Sequence, residues 1–226
     1  MPDEFFAPLH EIYTGGAPVF PDLLSRFPDK FHAVYGSSEA EPIAHFAARD
    51  FTPEIKTLIQ SGHGLPTGKP ITDISLQIID GEILVTGDHV LKSYLDGRGD
   101  SETKVTINDQ IWHRTGDAGR LDSDGQLWLL GRHGQKWRDY FPLQIEAAVH
   151  LLHPGHPCAF HQGTLFLETA LKIDLPWAPI DDINVIPKIP MDTRHNAKVD
   201  YPRLADLKKG NQPGINVSSS SSSRLP

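Results

Sequence analysis

Residues 71–90 read ITDISLQIIDGEILVTGDHV, and they leave the backbone little choice. The first half alternates apolar and polar side chains. Asp80-Gly81 supplies a tight turn, and EILVTGDHV runs back, so the stretch reads as a β-hairpin. KVTINDQIWHRTGDAGRL and GQLWLLGR add further strands, separated by a DSDG turn at 122–125. A compact β-rich unit, a small barrel or sandwich, is expected here.

The flanks have different textures. Upstream, EIYTGGAPVF is a short apolar strand broken by a Gly-Gly pair. PDLLSRFPDK follows as a helix, with Pro21 in its first turn and Leu23, Leu24 and Phe27 on one face. FHAVYG is then a buried strand, and strand–helix–strand order points to an α/β layer. VYGSSEAEP (34–42) is placed just past that strand's C-terminal end, where open α/β sheets bind ligands. Taken alone it reads as a turn. Downstream, PLQIEAAVHLL sets Ile145, Val149 and Leu152 at helical spacing, GTLFLETALKI and DDINVIPKI read as strands, and DYPRLADLKK as a closing helix. The expected fold class is therefore α/β and α+β: a strand–helix–strand part and a β-barrel unit over 1–131, then a small mobile α+β lid over 132–208. The low-complexity end, 209–226, cannot bury enough surface to fold and is expected to be a disordered tail.

Composition narrows the function. With 29 acidic and 21 basic side chains the net charge is −8, which argues against a nucleic-acid partner. No apolar run approaches eighteen residues, so no membrane span is expected, and MPDEFFAPLH lacks the basic flank of a signal peptide. A single cysteine, Cys158, allows no internal disulfide and fits a reducing compartment, the cytoplasm.

Six stretches in fixed order carry a resemblance: TGGAP (14–18), YGSSE (35–39), GEILVTGDHVLKSYL (81–95), HRTGD (113–117), GR (131–132) and IPMDTRHNAKVDYPRL (189–204). Together they resemble motifs of the adenylate-forming, AMP-binding superfamily, which includes acyl-CoA synthetases, luciferases and peptide-synthetase adenylation domains. The RHNAK form is especially similar to β-lactone synthetases of olefin biosynthesis and their fatty-acid ligase relatives. The resemblance covers roughly residues 13–207 and implies activation of a carboxylic acid, fatty or β-hydroxy fatty, by ATP through an acyl-adenylate.

The roles it implies fall on particular residues. Glu39 holds Mg²⁺ as a hard oxygen ligand. Ser38, where the family usually has threonine, offers a hydroxyl to the α-phosphate. Tyr35 presents a flat face to adenine, and Gly15, Gly16 and Ala17 let the backbone approach the ring. Asp117 anchors the ribose, and Arg132, reaching in from the other unit, donates to ribose or phosphate. Lys198 is the mobile catalytic cation. Each has a plainer reading: a core aromatic for Tyr35, a turn residue for Asp117, a solvated surface lysine for Lys198. Coenzyme A is left open, because Gly134 stands where the family has an acidic hinge residue. The family's Ser/Thr/Gly-rich phosphate loop is absent, so the chain is expected to be a C-terminal portion, inactive alone, whose partner is the missing N-terminal portion of the same enzyme. The alternative is a non-catalytic truncated homologue that binds nucleotide weakly or serves as an interaction module.

Two motifs are set aside. His150, His153, His156, Cys158 and His161 carry zinc-type donors, but their spacing matches no standard finger. GLPTGKP (64–70) mimics a phosphate loop, yet Lys69 is followed by proline and the glycine spacing is wrong.

Overall fold

A computed structural model describes residues 3–193 and 197–209. Strand β1 (Ile12–Gly15), helix α1 (Pro21–Arg26) and strand β2 (Phe31–Ser37) form the expected strand–helix–strand, with β1 and β2 parallel. Proline opens α1, where no N–H is needed, and Leu24 buries against Phe31, Ala33 and Phe46. The next strand, β3 (Ala40–Ala47), runs antiparallel to β2. YGSSE is therefore the apex of a hairpin, not a strand end opening into a loop. Pro42 hides that strand in the sequence, since proline cannot donate to a ladder. Here it falls in a bulge, because Tyr35 faces Ala44 while Ser37 already faces Ala40.

Helix α2 (Pro53–Gln60) leads into β4 (Leu65–Pro70), so GLPTGKP is a strand. This strand changes partners along its length: Lys69 and Pro70 pair with β3, while Leu65, Pro66 and Gly68 pair with β9 (Leu127–Arg132). Gly68 makes the change possible. Its φ is 89°, and a side chain there would overlap the His45 carbonyl. The hairpin that constrained the sequence is β5 (Ile74–Ile79) with β6 (Glu82–Gly87), and Asp80 and Gly81 take φ values of 51° and 84°. After α3 (Asp100–Thr103), β7 (Lys104–Ile107) and β8 (Gln110–Leu121) repeat the device through Asn108 and Asp109, at 49° and 61°.

The strand order is β1-β2-β3-β4-β9-β8-β6-β5, with β7 on β8. The strand–helix–strand part and the unit expected as a barrel are thus joined by β4 into one nine-stranded sheet whose path stays open. Helix α4 (Pro142–Leu152) follows, then a three-stranded sheet of β10 (Cys158–His161), β11 (Thr164–Leu167) and β12 (Asp182–Val185), then α5 (Tyr201–Lys209). The sheet order is β10-β11-β12, and the strand expected in GTLFLETALKI ends at Leu167.

Helix α4 is buried on two sides. Leu143 and Ala147 pack with Ile59 and Trp128 of the larger part, while Ile145, Ala148 and Val149 pack with Phe160, Leu165 and Leu167. Polar ties reinforce the junction: Gln144 Nε2 donates to the Gly62 carbonyl at 2.6 Å, and Trp177 Nε1 to the Gln60 carbonyl at 2.8 Å. The expected tail lies outside the described residues, apart from Lys209 at the end of α5.

Candidate nucleotide-binding site

Where the large sheet, α4 and the loop before α5 meet, they enclose a cavity of about 950 Å³. That is the upper end of the range for small-molecule pockets. Its wall includes Gly16, Ala17, Tyr35, Ser38, Glu39, Asp117, Arg132 and Lys198. Gly15 stands behind that wall. It pairs with Val34, and a side chain on it would come within 2.7 Å of the Val34 carbonyl, so its bareness serves strand packing.

The best-defined feature is a carboxylate held from two sides. Tyr35 donates its hydroxyl to Asp117 Oδ2 at 2.9 Å, and Arg132 Nη1 donates to Oδ1 at 3.0 Å and to the Thr115 carbonyl at 3.2 Å. Asp117 and Arg132 are direct cross-strand partners in β8 and β9. The expected reach of Arg132 from the other unit is therefore replaced by a contact within one sheet. Burial raises the Asp117 pKa, and Arg132 and Tyr35 offset only part of that rise. Burial, followed by the Asp117 charge, pushes the Tyr35 phenol well above its ordinary value, so it stays a donor. A carboxylate has about four lone-pair positions. With two of them occupied, Asp117 still has room to accept both hydroxyls of a cis-diol, which fits a ribose.

Glu39 occupies the apex of the β2–β3 hairpin. Its Oε1 accepts from the Tyr94 hydroxyl at 2.9 Å, and its carbonyl accepts from the Leu91 N–H at 2.8 Å. Burial would raise its pKa, but the hydrogen bonds, led by Tyr94, hold it below the usual carboxylate value. Lys104 lies over the Tyr94 ring at 5.2 Å and contacts His113 Nδ1 at 3.1 Å, so the turn is backed by a cation. An ionised, partly exposed carboxylate on a cavity wall fits a divalent cation. Ser38 beside it is exposed.

Lys198 enters from the opposite side, on the loop before α5. It is exposed, and its charge lowers the Asp117 pKa. Arg194, His195 and Asn196 of the RHNAK stretch lie outside the described residues. The zinc-type donors serve elsewhere. His150 stacks on Phe20 at 3.9 Å, the Cys158 thiol is buried against the Glu146 carbonyl, and His156 contacts its own Pro154 carbonyl. Among the described residues no three such side chains gather as metal ligands.

Three supporting residues escaped the sequence reading. Tyr94 and Asp192 lie inside quoted motifs with no role attached, and Glu146 is the one carboxylate of a largely apolar helix. Only Glu146 left a signal, a lone carboxylate on a buried stripe.

No family model matches the chain. Over 168 residues it is 29% identical to 4-coumarate–CoA ligase 1 of Petroselinum crispum, covering 63% of this chain. Its fold superposes on the amide bond synthetase McbA from Marinactinospora thermotolerans with a TM-score of 0.65, at 19% identity over 89% of this chain and 47% of that one. It superposes also on the O-succinylbenzoate coenzyme A synthetase MenE of Bacillus subtilis, solved with ATP and magnesium, at a TM-score of 0.61 and 23% identity, over 90% of this chain and 49% of that one. The chain is similar in sequence to adenylate-forming CoA ligases over about two thirds of its length, and it shares their fold. It spans only 29% of the length of the plant ligase, and its mixed α/β architecture is that of the C-terminal part of adenylate-forming enzymes. Among the described residues no helix is long and apolar enough to cross a membrane.

Proposed function

We propose that this chain supplies the nucleotide-holding wall and the mobile lysine of a site that activates a carboxylic acid with ATP, giving an acyl-adenylate and pyrophosphate. The observation that carries the reading is Asp117, fixed between Tyr35 and Arg132 on a cavity that Lys198 enters from the far side. In this reading Tyr35 and the Gly16–Ala17 backbone flank the base, Asp117 accepts from the ribose hydroxyls, and Arg132 donates to ribose or phosphate. The Ser38 hydroxyl donates to the α-phosphate. Glu39 would hold Mg²⁺, which supplies charge neutralisation between phosphates. As pyrophosphate departs, negative charge gathers at the α-phosphate, and the Lys198 ammonium offsets it.

The RHNAK resemblance favours a fatty or β-hydroxy fatty acid as substrate. The matched plant ligase is named for 4-coumarate, an aryl acid. The reading assigns no site to coenzyme A. The sequence carries no Ser/Thr/Gly-rich phosphate loop, so the reading pairs this chain with an N-terminal portion supplying that loop and the acyl pocket.

Calorimetric titration of the 226-residue chain with MgATP tests the nucleotide half. Asp117→Asn is expected to weaken binding about 10–100-fold, the loss of charge-assisted hydrogen bonds to a diol. A variant that binds as tightly as wild type overturns the assignment. Lys198→Ala is expected to leave that affinity nearly unchanged. With the complementing portion present, it should slow acid-dependent pyrophosphate exchange about 10²–10³-fold.

A further inference from the structure

The loop bearing Lys198 is closed on itself. The Asp192 N–H donates to the Lys198 carbonyl at 2.8 Å, and Asp192 Oδ1 accepts from the Ala197 and Lys198 N–H groups, both at 2.9 Å. Met191 bridges Val199, and the Asp200 N–H donates to the Pro190 carbonyl at 2.9 Å. These bonds fix how the two stems, 190–192 and 197–200, meet each other, not their place in the molecule.

Its place is set three residues on. Tyr201, the first residue of α5, donates its hydroxyl to Glu146 Oε1 at 2.9 Å, and the same oxygen accepts the Phe160 N–H at 2.8 Å. Glu146 is 1% exposed on α4, the helix wedged between the two sheets. One carboxylate thus joins α4, β10 and α5, and both it and Tyr201 border the cavity that Lys198 enters. Packing alone does not need it. Leu204, fully buried beside Ala159, Phe166 and Ile189, already seats α5 on the small sheet. An unpaired carboxylate inside an apolar helix is costly, and what a hydrogen bond adds to apolar seating is direction. Three residues of chain span at most about 10 Å, so a shift at Tyr201 passes directly to Lys198.

We propose that Glu146 and Tyr201 form a clasp that positions Lys198 against the nucleotide wall, both acting as positioning residues for that lysine. The inference rests on the nucleotide reading above.

The 226-residue chain is labelled with 5′-(4-fluorosulfonylbenzoyl)adenosine, which keeps the ribose diol and whose sulfonyl fluoride captures a nearby amine with loss of fluoride, and the modified peptide is identified by mass spectrometry. Wild type is expected to be modified at Lys198 with saturation and protection by ATP. Tyr201→Phe keeps the ring and removes the donor. It should leave the half-saturation concentration within about twofold and slow Lys198 modification about tenfold, the scale of a hydrogen bond to a charged group. Hydrogen exchange at the Ala197 and Lys198 amides should accelerate in parallel, while exchange in β8 and β9 stays unchanged. Glu146→Gln retains an acceptor oxygen and should fall between the two. A wild-type chain without saturable, ATP-protected labelling sinks the nucleotide reading, and with it the clasp as a device serving that site. Saturable labelling of wild type together with an unchanged Lys198 rate and unchanged exchange in Tyr201→Phe overturns the clasp alone.

Discussion

Glu146→Gln separates the charge of this buried residue from its shape. Burial drives the Glu146 pKa upward, and the Phe160 N–H and Tyr201 hydroxyl only partly resist, leaving it raised from 4.5 to about 7. The sign follows from proton counting. Below the unfolded value both states carry the proton and the residue costs nothing. As pH rises, the unfolded chain releases the proton first, so the folded state loses stability until its own carboxyl titrates. Above the folded value the loss is complete, and a rise from 4.5 to about 7 is worth about 3 kcal/mol at about 1.4 kcal/mol per pH unit. Glutamine cannot titrate, yet its amide oxygen can still accept both donors. Urea unfolding of wild type and Glu146→Gln should therefore show the stability difference shifting in the variant's favour by about 2–3 kcal/mol between about pH 5 and pH 8. Parallel pH profiles for the two proteins would show that Glu146 titrates normally, and the account of its burial would be wrong.

Glu39→Gln should raise the Mg²⁺ concentration needed for ATP binding, with recovery at high metal, because a neutral amide is a poor ligand for a hard cation; Ser38→Ala should weaken binding about tenfold with no recovery. Equal Mg²⁺ titration midpoints in Glu39→Gln and wild type would remove Glu39 from the metal site. Tyr35→Phe keeps the ring face and deletes the donor to Asp117 Oδ2, so MgATP affinity should fall about tenfold and the Asp117 pKa, followed by carboxylate NMR, should move further up. Gly68→Ala should destabilise the chain by at least about 2 kcal/mol in urea, since φ is 89° there and the new methyl meets the His45 carbonyl; a wild-type midpoint would contradict that geometry.

What the sequence displayed and what it hid follow from how far each feature depends on non-local pairing. The β5–β6 hairpin was legible because Asp80-Gly81 prescribes its own turn and the alternation prescribes the face. Strands β3 and β4 were hidden for an opposite reason: Pro42 and the Gly-Lys-Pro of β4 are strand breakers unless a bulge or a change of partner accommodates them, and only the fold supplies either. The pairing of Asp117 with Arg132 depends on the β8–β9 register across the 122–125 turn, and Tyr35 reaches Asp117 across 82 positions of chain. Motif resemblance named these residues without showing how they meet. Likewise, TGGAP grouped Gly15 with Gly16, while strand pairing turns them to different tasks. Glu146 shows the converse: a carboxylate among the apolar positions of a helix is a local signal that was passed over, and its partner Tyr201 lies 55 residues on, beyond any local pattern.

The two sides of the cavity divide fixed from movable charge. On the large sheet the two carboxylates given ligand roles are each held by a hydroxyl backed by a cation: Asp117 by Tyr35 with Arg132 bonded directly, Glu39 by Tyr94 with Lys104 above the ring. Such groups need no reorganisation when a diol or a cation arrives, which is where preorganised electrostatics gains most. On the other side, the Lys198 loop is bonded through its backbone, and among the described residues the Lys198 ammonium forms no ion pair. A cation tied down by a carboxylate would have to break that pair to meet charge developing on a phosphate. A cation held only through its backbone does not. The burden of placement then falls on whatever seats the loop, and the directional contact that joins the start of α5 to α4 runs from Tyr201 to Glu146.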